Sequence, residues 1–140
     1  MATVTKTLYD ADFALWAEET AKLLREGRFD EVDLEHVVEE IEDLSKSERR
    51  AVRSQLKRML MHLIKQRIQP EHDGPSWRAS IADAREELLD DLADSPSLRG
   101  YLQQRLQRTY EQAVNLAAAE TGVRADLPSK CPYTLEELLK

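Results

Sequence analysis

Apolar residues recur along this chain at the spacing of an α-helix, in one stretch after another. From Asp10 to Glu26 the shared face is Phe13, Trp16, Thr20, Leu23 and Leu24. Asp10 is placed to cap its start, and Gly27 to take the left-handed turn that ends it. Asp33 opens a second stretch, whose face of Leu34, Val37, Val38, Ile41 and Leu44 is expected to turn inward. A third carries Val52, Leu56, Met59, Leu60 and Leu63. At about 100° per residue these last two stripes are in phase, which one long helix would satisfy. Ser45 with Glu48 three residues later forms a capping box, and Ser47 is a second cap, so a break is expected between them.

The segment "QPEHDGPS", residues 69 to 76, reads as a loop. A fourth helix is expected from Ser76 to about Asp94, with Trp77, Ile81, Ala84, Leu88 and Leu92 inward. Ser95 and Pro96 then mark the start of a fifth, which stops at Gly122 and buries Leu98, Leu102, Leu106, Thr109, Ala113 and Leu116. Near the end, Thr134 and Glu137 make another capping box, with Tyr133 able to pack on Leu138. The pattern predicts an all-α, single-domain helical bundle over residues 1–140. It has about five helices plus a short C-terminal helix, with residues 1–8 flexible and Trp16 and Trp77 as core anchors.

Composition agrees with an all-α chain: four Gly, five Pro and 34% charged residues among 140. The single cysteine, Cys131, excludes an internal disulfide and fits a reducing compartment. No apolar run approaches a membrane span and no signal-peptide core opens the chain, so a soluble, bacterial-type cytosolic protein is expected.

Charge changes the picture more. The formal net charge is -7, yet residues 45 to 67, "SKSERRAVRSQLKRMLMHLIKQR", set eight Lys and Arg against Glu48 alone. Within this stretch Lys46, Arg50, Arg53 and Lys57 form a strip beside the apolar stripe, a spacing suited to phosphates. No aromatic residue is interleaved for base stacking, and no recognition-helix or zinc-finger pattern is present. The stretch before it holds six acids with no Lys or Arg, and the outer face of the fourth helix is acidic as well. Matching of these acids to the strip, within the chain or between subunits, is therefore favoured over nucleic acid.

Candidate chemistry is sparse. Glu35, Glu39 and Glu42 line one side of their helix, and His36 stands one turn before Glu40. Helical bundles hold metals with carboxylates and Glu-x-x-His pairs, but no such pair occurs here, and no metal or other cofactor is expected. His62 sits at the edge of its apolar stripe, where burial is expected; with Glu39 or Glu42 opposite it would form a pair competent for proton transfer. Neither a phosphate-binding glycine loop, nor a Cys-x-x-Cys, nor a serine nucleophile motif accompanies it.

The succession "YDADFALW", "EEIEDLSKSERR", "LMHLIK", "QP", "SW", "SPSL" and "CPYTLEELL" resembles a bacterial family of small proteins known as domain of unknown function twenty-nine. The resemblance runs from Tyr9 to Leu139. It falls on Asp12, Trp16, Glu39, Glu40, Ile41, Glu42, Ser47, Glu48, Arg49, His62, Lys65, Pro70, Trp77, Pro96, Cys131 and Pro132. It implies an all-helical fold and a cytosolic setting, and it implies no activity. Ser45 departs from the family, whose members often have glycine there. Three functional readings follow: a non-enzymatic protein-interaction module, self-associating or not; a nucleic-acid-associated regulatory or defence-pair protein using residues 46–67; and a hydrolase or metal-dependent enzyme centred on Glu39, Glu42 and His62. The missing catalytic motifs favour the first.

Overall fold

A computed structural model describes residues 8–124 and 126–140, and the regular structure among them is entirely helical. Its helices are α1 (Phe13–Arg25), α2 (Leu34–Ile68), α3 (Pro75–Asp94), α4 (Leu98–Thr121) and α5 (Leu135–Leu138). Short 3₁₀ turns occupy Phe29–Glu31 and Pro70–His72, and residues 8–11 are also helical. Of the segment expected to be flexible, residues 1–7 lie outside the described residues; Leu8 is helical. No helix of the described residues is long and apolar enough to cross a membrane.

The expected break at Ser45–Ser47 does not occur, because α2 runs through it without interruption. A serine inside a helix costs only about 0.5 kcal/mol against alanine, too little to stop a helix whose apolar stripe keeps its phase. Asp12, not Asp10, caps α1, accepting the Leu15 N–H at 3.1 Å. Its other end matches expectation: Gly27 has φ 75°, its N–H reaches Leu24 O at 3.1 Å, and the Arg28 N–H reaches Leu23 O at 2.9 Å. Ser95 closes α3 rather than opening α4, its N–H donating to Asp91 O at 2.9 Å. A turn through Pro96 delays α4 to Leu98, and Gly122 (φ 71°) ends that helix as expected. The Thr134 hydroxyl caps α5, accepting the Glu137 N–H at 3.2 Å.

The chain divides into two compact units, Met1–Ser47 and Glu48–Lys140. The second unit holds the apolar core. Val52, Leu56, Met59, Leu60 and Ile64 of α2 pack with Ile81, Ala84 and Leu88 of α3, Leu102, Tyr110, Ala113 and Ala117 of α4, and Leu135 and Leu138 of α5. Two expectations fail at its edge. Trp77 is only half-buried, and Leu116 is exposed while Ala117 is buried, because four residues on from Ala113 the inward position falls on Ala117. Tyr110 goes fully inside because its hydroxyl finds Pro128 O at 2.7 Å.

The first unit is built differently. Its one large buried apolar side chain among the described residues is Trp16, 4% exposed; Thr20 and Asp33 are buried as well. The face expected to turn inward is largely in solvent: Leu34 is 66% exposed, Val38 45%, Ile41 61% and Leu44 67%. A unit as small as Met1–Ser47 has too little interior to hide several large side chains at once.

Candidate functional site

Polar side chains converge in the first unit, around the start of α2. Asp33 Oδ1 accepts the His36 backbone N–H at 3.5 Å, and its Oδ2 pairs with His36 Nδ1. The Tyr9 ring stacks on His36 with centroids 3.8 Å apart, and the Tyr9 hydroxyl donates to the Glu40 carboxylate. Trp16 meets Tyr9 edge-on at 4.8 Å. The electrostatics follow from these contacts. The Asp33 carboxylate holds the His36 pKa above its ordinary value, outweighing the opposing effect of burial. The hydrogen bond to Glu40, helped by desolvation and the neighbouring acids, pushes the Tyr9 hydroxyl up to about 12.

Sequence reading places Asp33 at the helix start and His36 near Glu40, but misses that the two bind each other and that Tyr9 covers them. The signal was an Asp three residues before a His at a helix N-terminus. A His–carboxylate pair has the parts for proton transfer, yet a raised pKa favours the protonated ring and so leaves less free imidazole to accept a proton. What the cluster does well is fasten residues 9–16 to the first turns of α2.

The carboxylates singled out from the sequence, Glu39 and Glu42, are exposed on α2. With Leu34, Val38, Asp43 and Lys46 they line an open groove of ≈ 510 Å³ along that helix. His62 does not join them. It lies in the second unit and does not line that groove. The pairing expected of His62 with Glu39 or Glu42 depended on a break that α2 does not have.

In the second unit His62 is half-buried beside Trp77, with ring centroids 6.5 Å apart, and its Nδ1 has no hydrogen-bond partner among the described residues. Burial first, then the charge of Lys65 and, more weakly, that of Arg58 lower its pKa, against an opposing pull of Glu120 that is weaker than Lys65 and stronger than Arg58. Lys65 itself lies over the Trp77 ring at 5.3 Å and pairs with Glu120 at 3.3 Å. Among the described residues no group of three His, Cys, Asp or Glu is arranged to hold a metal ion. Cys131 is half-buried, with burial raising its thiol pKa and its Sγ–H directed at Tyr133 O at 3.4 Å, which makes it a poor nucleophile.

The basic strip finds partners in only part of its length. Arg58, in the same basic stretch but outside the strip, pairs with Asp83 on the acidic face of α3 at 2.6 Å. Arg53 donates to the Tyr101 hydroxyl at 2.9 Å, and Arg49 lies over the same ring at 5.6 Å. Lys57 borders a hollow with Gln112, Asn115, Leu116 and Ala119. Lys46, Arg49 and Arg50 are exposed and make no ion pair among the described residues; the same holds for Glu39, Glu42 and Asp43.

No curated protein matches the chain, and no solved structure matches it. The family described as "Domain of unknown function DUF29" matches residues 8–140, nearly the whole length. The chain, whose regular structure among the described residues is helical, belongs to the DUF29 family.

Proposed function

We propose that this protein is a non-catalytic helical module that binds another protein through the exposed first half of α2. One observation carries the reading: every residue from Ile41 to Ala51 is exposed, around the whole circumference of the helix. An isolated helical stretch of this length is marginal in water, and tertiary packing normally supplies what propensity does not. Here Leu34, Val38, Ile41 and Leu44 form an apolar stripe along the same uncovered surface, a feature characteristic of association sites. The setting we propose is the bacterial cytosol, supported by the lone cysteine and the acidic net charge.

The nucleic-acid reading has the exposed Lys46, Arg49 and Arg50 in its favour. Three cations next to Glu39, Glu42 and Asp43, within a Debye length of about 8 Å at physiological salt, make a weak attraction for phosphates. The test of the interaction reading is a photo-reactive amino acid at Ile41, with a control at exposed Glu87 on α3, in cells making the protein at native level. A protein adduct specific to position 41 is expected. Equal labelling at both positions, or none, overturns the reading.

A further inference from the structure

Resting on that reading, we propose that the groove along residues 34–46 takes a basic amphipathic helix of another protein. Apolar residues of that helix lie on Leu34, Val38 and Ile41, and its Lys and Arg meet Glu39, Glu42 and Asp43.

The groove lies wholly within the first unit, and its lining is of two kinds, side by side. At about 100° per residue, Leu34, Val38 and Ile41 fall on one line along α2. Glu35, Glu39 and Glu42 fall on the next, with Asp43 beyond them. The apolar line stands in solvent, at 66%, 45% and 61% exposure. Glu39, Glu42 and Asp43 are exposed and form no ion pair among the described residues. An occupant that covers the apolar line also takes water from these carboxylates, and has to bring them cations in exchange.

The surface selects the occupant's backbone as well. Within α2 the backbone N–H and C=O groups bond to one another, so the groove offers no edge to an added strand. The occupant must satisfy its own backbone, as a helix does, and anchor through apolar side chains at i, i+3 or i+4, and i+7. Residues 34–46 span about 18 Å, matching about twelve residues of a partner helix.

Charge sets the other occupants aside. Residues 1–47 hold thirteen Asp and Glu against five Lys and Arg, while residues 48–140 hold fourteen against fifteen. The chain's net charge of -7 therefore belongs to the unit that carries the groove. Such a unit repels nucleic-acid phosphates and anionic lipid headgroups. A second copy laid groove on groove would oppose Glu35, Glu39, Glu42 and Asp43 to the same four residues, with Lys46 as the lone cation of the lining.

Fluorescence anisotropy tests the proposal, with the full chain and labelled model peptides about four helical turns long. A Leu/Lys amphipathic peptide is expected to bind at about 0.15 M salt, and a Leu/Glu counterpart and a Ser/Lys peptide of equal charge are not. Glu39→Lys with Glu42→Lys, and separately Val38→Ser with Ile41→Ser, should each weaken binding about tenfold or more. Glu86→Lys with Glu87→Lys, on the exposed face of α3, makes the same change in net charge and should alter binding less than about twofold. Circular dichroism on each variant separates lost binding from lost folding. No binding of the Leu/Lys peptide overturns the proposal, and so does equal weakening by the α3 pair, which would mean attraction to overall charge alone. The adduct at the Ile41 photoprobe is then sequenced. A labelled segment rich in Lys and Arg, with apolar residues at helical spacing, is expected. An acidic segment, or one from a second copy of this chain, overturns the inference while the interaction surface stands. No adduct at position 41 removes both.

Discussion

The two halves of α2 carry the same kind of apolar stripe, in phase along one helix, and meet opposite fates. Val52, Leu56, Met59 and Leu60 are 0% exposed, each covered by side chains of α3, α4 and α5. Leu34, Val38, Ile41 and Leu44 stand largely in solvent. Periodicity states that a face is suited to burial; whether its own chain supplies the cover depends on how much other apolar surface lies within reach. Three further helices share the second unit, while the first offers little beyond α1 and the residues before it.

The largest effect expected from this contrast is in stability. Leu56→Ala removes a fully buried side chain and should cost about 2–5 kcal/mol, measured by urea unfolding. Ile41→Gln on the exposed half should change the stability of the chain alone by no more than ~0.5 kcal/mol. Comparable losses at both positions would mean that the first half of α2 is buried in solution even in the single chain, and would break the comparison.

Next in size is the cluster at the start of α2. Asp33→Ala removes a helix cap and the buried partner of His36 together, for a loss of about 1–3 kcal/mol. The loss should be local. Amide hydrogen exchange should quicken in α1 and the first turns of α2 while the amides of α4 keep their protection. Uniform loss of protection would show that the two units unfold as one.

Much of this architecture was legible in the residues, and the parts that were not share a cause. Gly27, Gly122 and the Thr134–Glu137 box act locally, through backbone conformation or a side chain reaching its own turn, so the sequence is enough to place them. Ser45 and Ser47 carry the same local signals, but a serine tolerated in a helix interior looks the same in sequence as one that caps. The contact of Tyr9 with Glu40 joins distant positions, and no local rule announces it. For the candidate site, the sequence identified Glu39, Glu42 and the strip of Lys46, Arg50, Arg53 and Lys57 as chemically notable. It could not say that Glu39 and Glu42 share an exposed groove that His62 does not line, because that depends on whether one helix breaks.

A smaller effect sharpens the point about that helix. Ser45→Gly should lower helix stability by roughly 0.5 kcal/mol, and Ser45→Ala should raise it by a similar amount. Exchange of amides 43–49 is the readout, since they lie where no packing masks propensity. No response in either variant would mean that this stretch is held by contacts and not by the helix alone.

The smallest effect separates the two units by pH. His36 has its pKa raised by Asp33, so the folded first unit binds its proton more tightly than the unfolded chain does. That contribution is complete below the unfolded value of about 6.5 and fades as pH rises through the higher folded value. His62 has its pKa lowered by burial and by Lys65 and Arg58, so the opposite holds: its contribution is present above about 6.5 and is lost as pH falls through the lower folded value. The imidazole resonances of the two histidines should therefore titrate on opposite sides of that value in nuclear magnetic resonance. The tryptophans supply the stability readout, with Trp16 in the first unit and Trp77 in the second. In a Trp77→Phe variant, the fluorescence of Trp16 should report a urea midpoint that declines from mildly acidic to alkaline pH, and adding His36→Gln should flatten that decline. A Trp16 midpoint that instead rises with pH would show that His36 is held neutral, and that the Asp33 pairing does not fasten this end of the molecule.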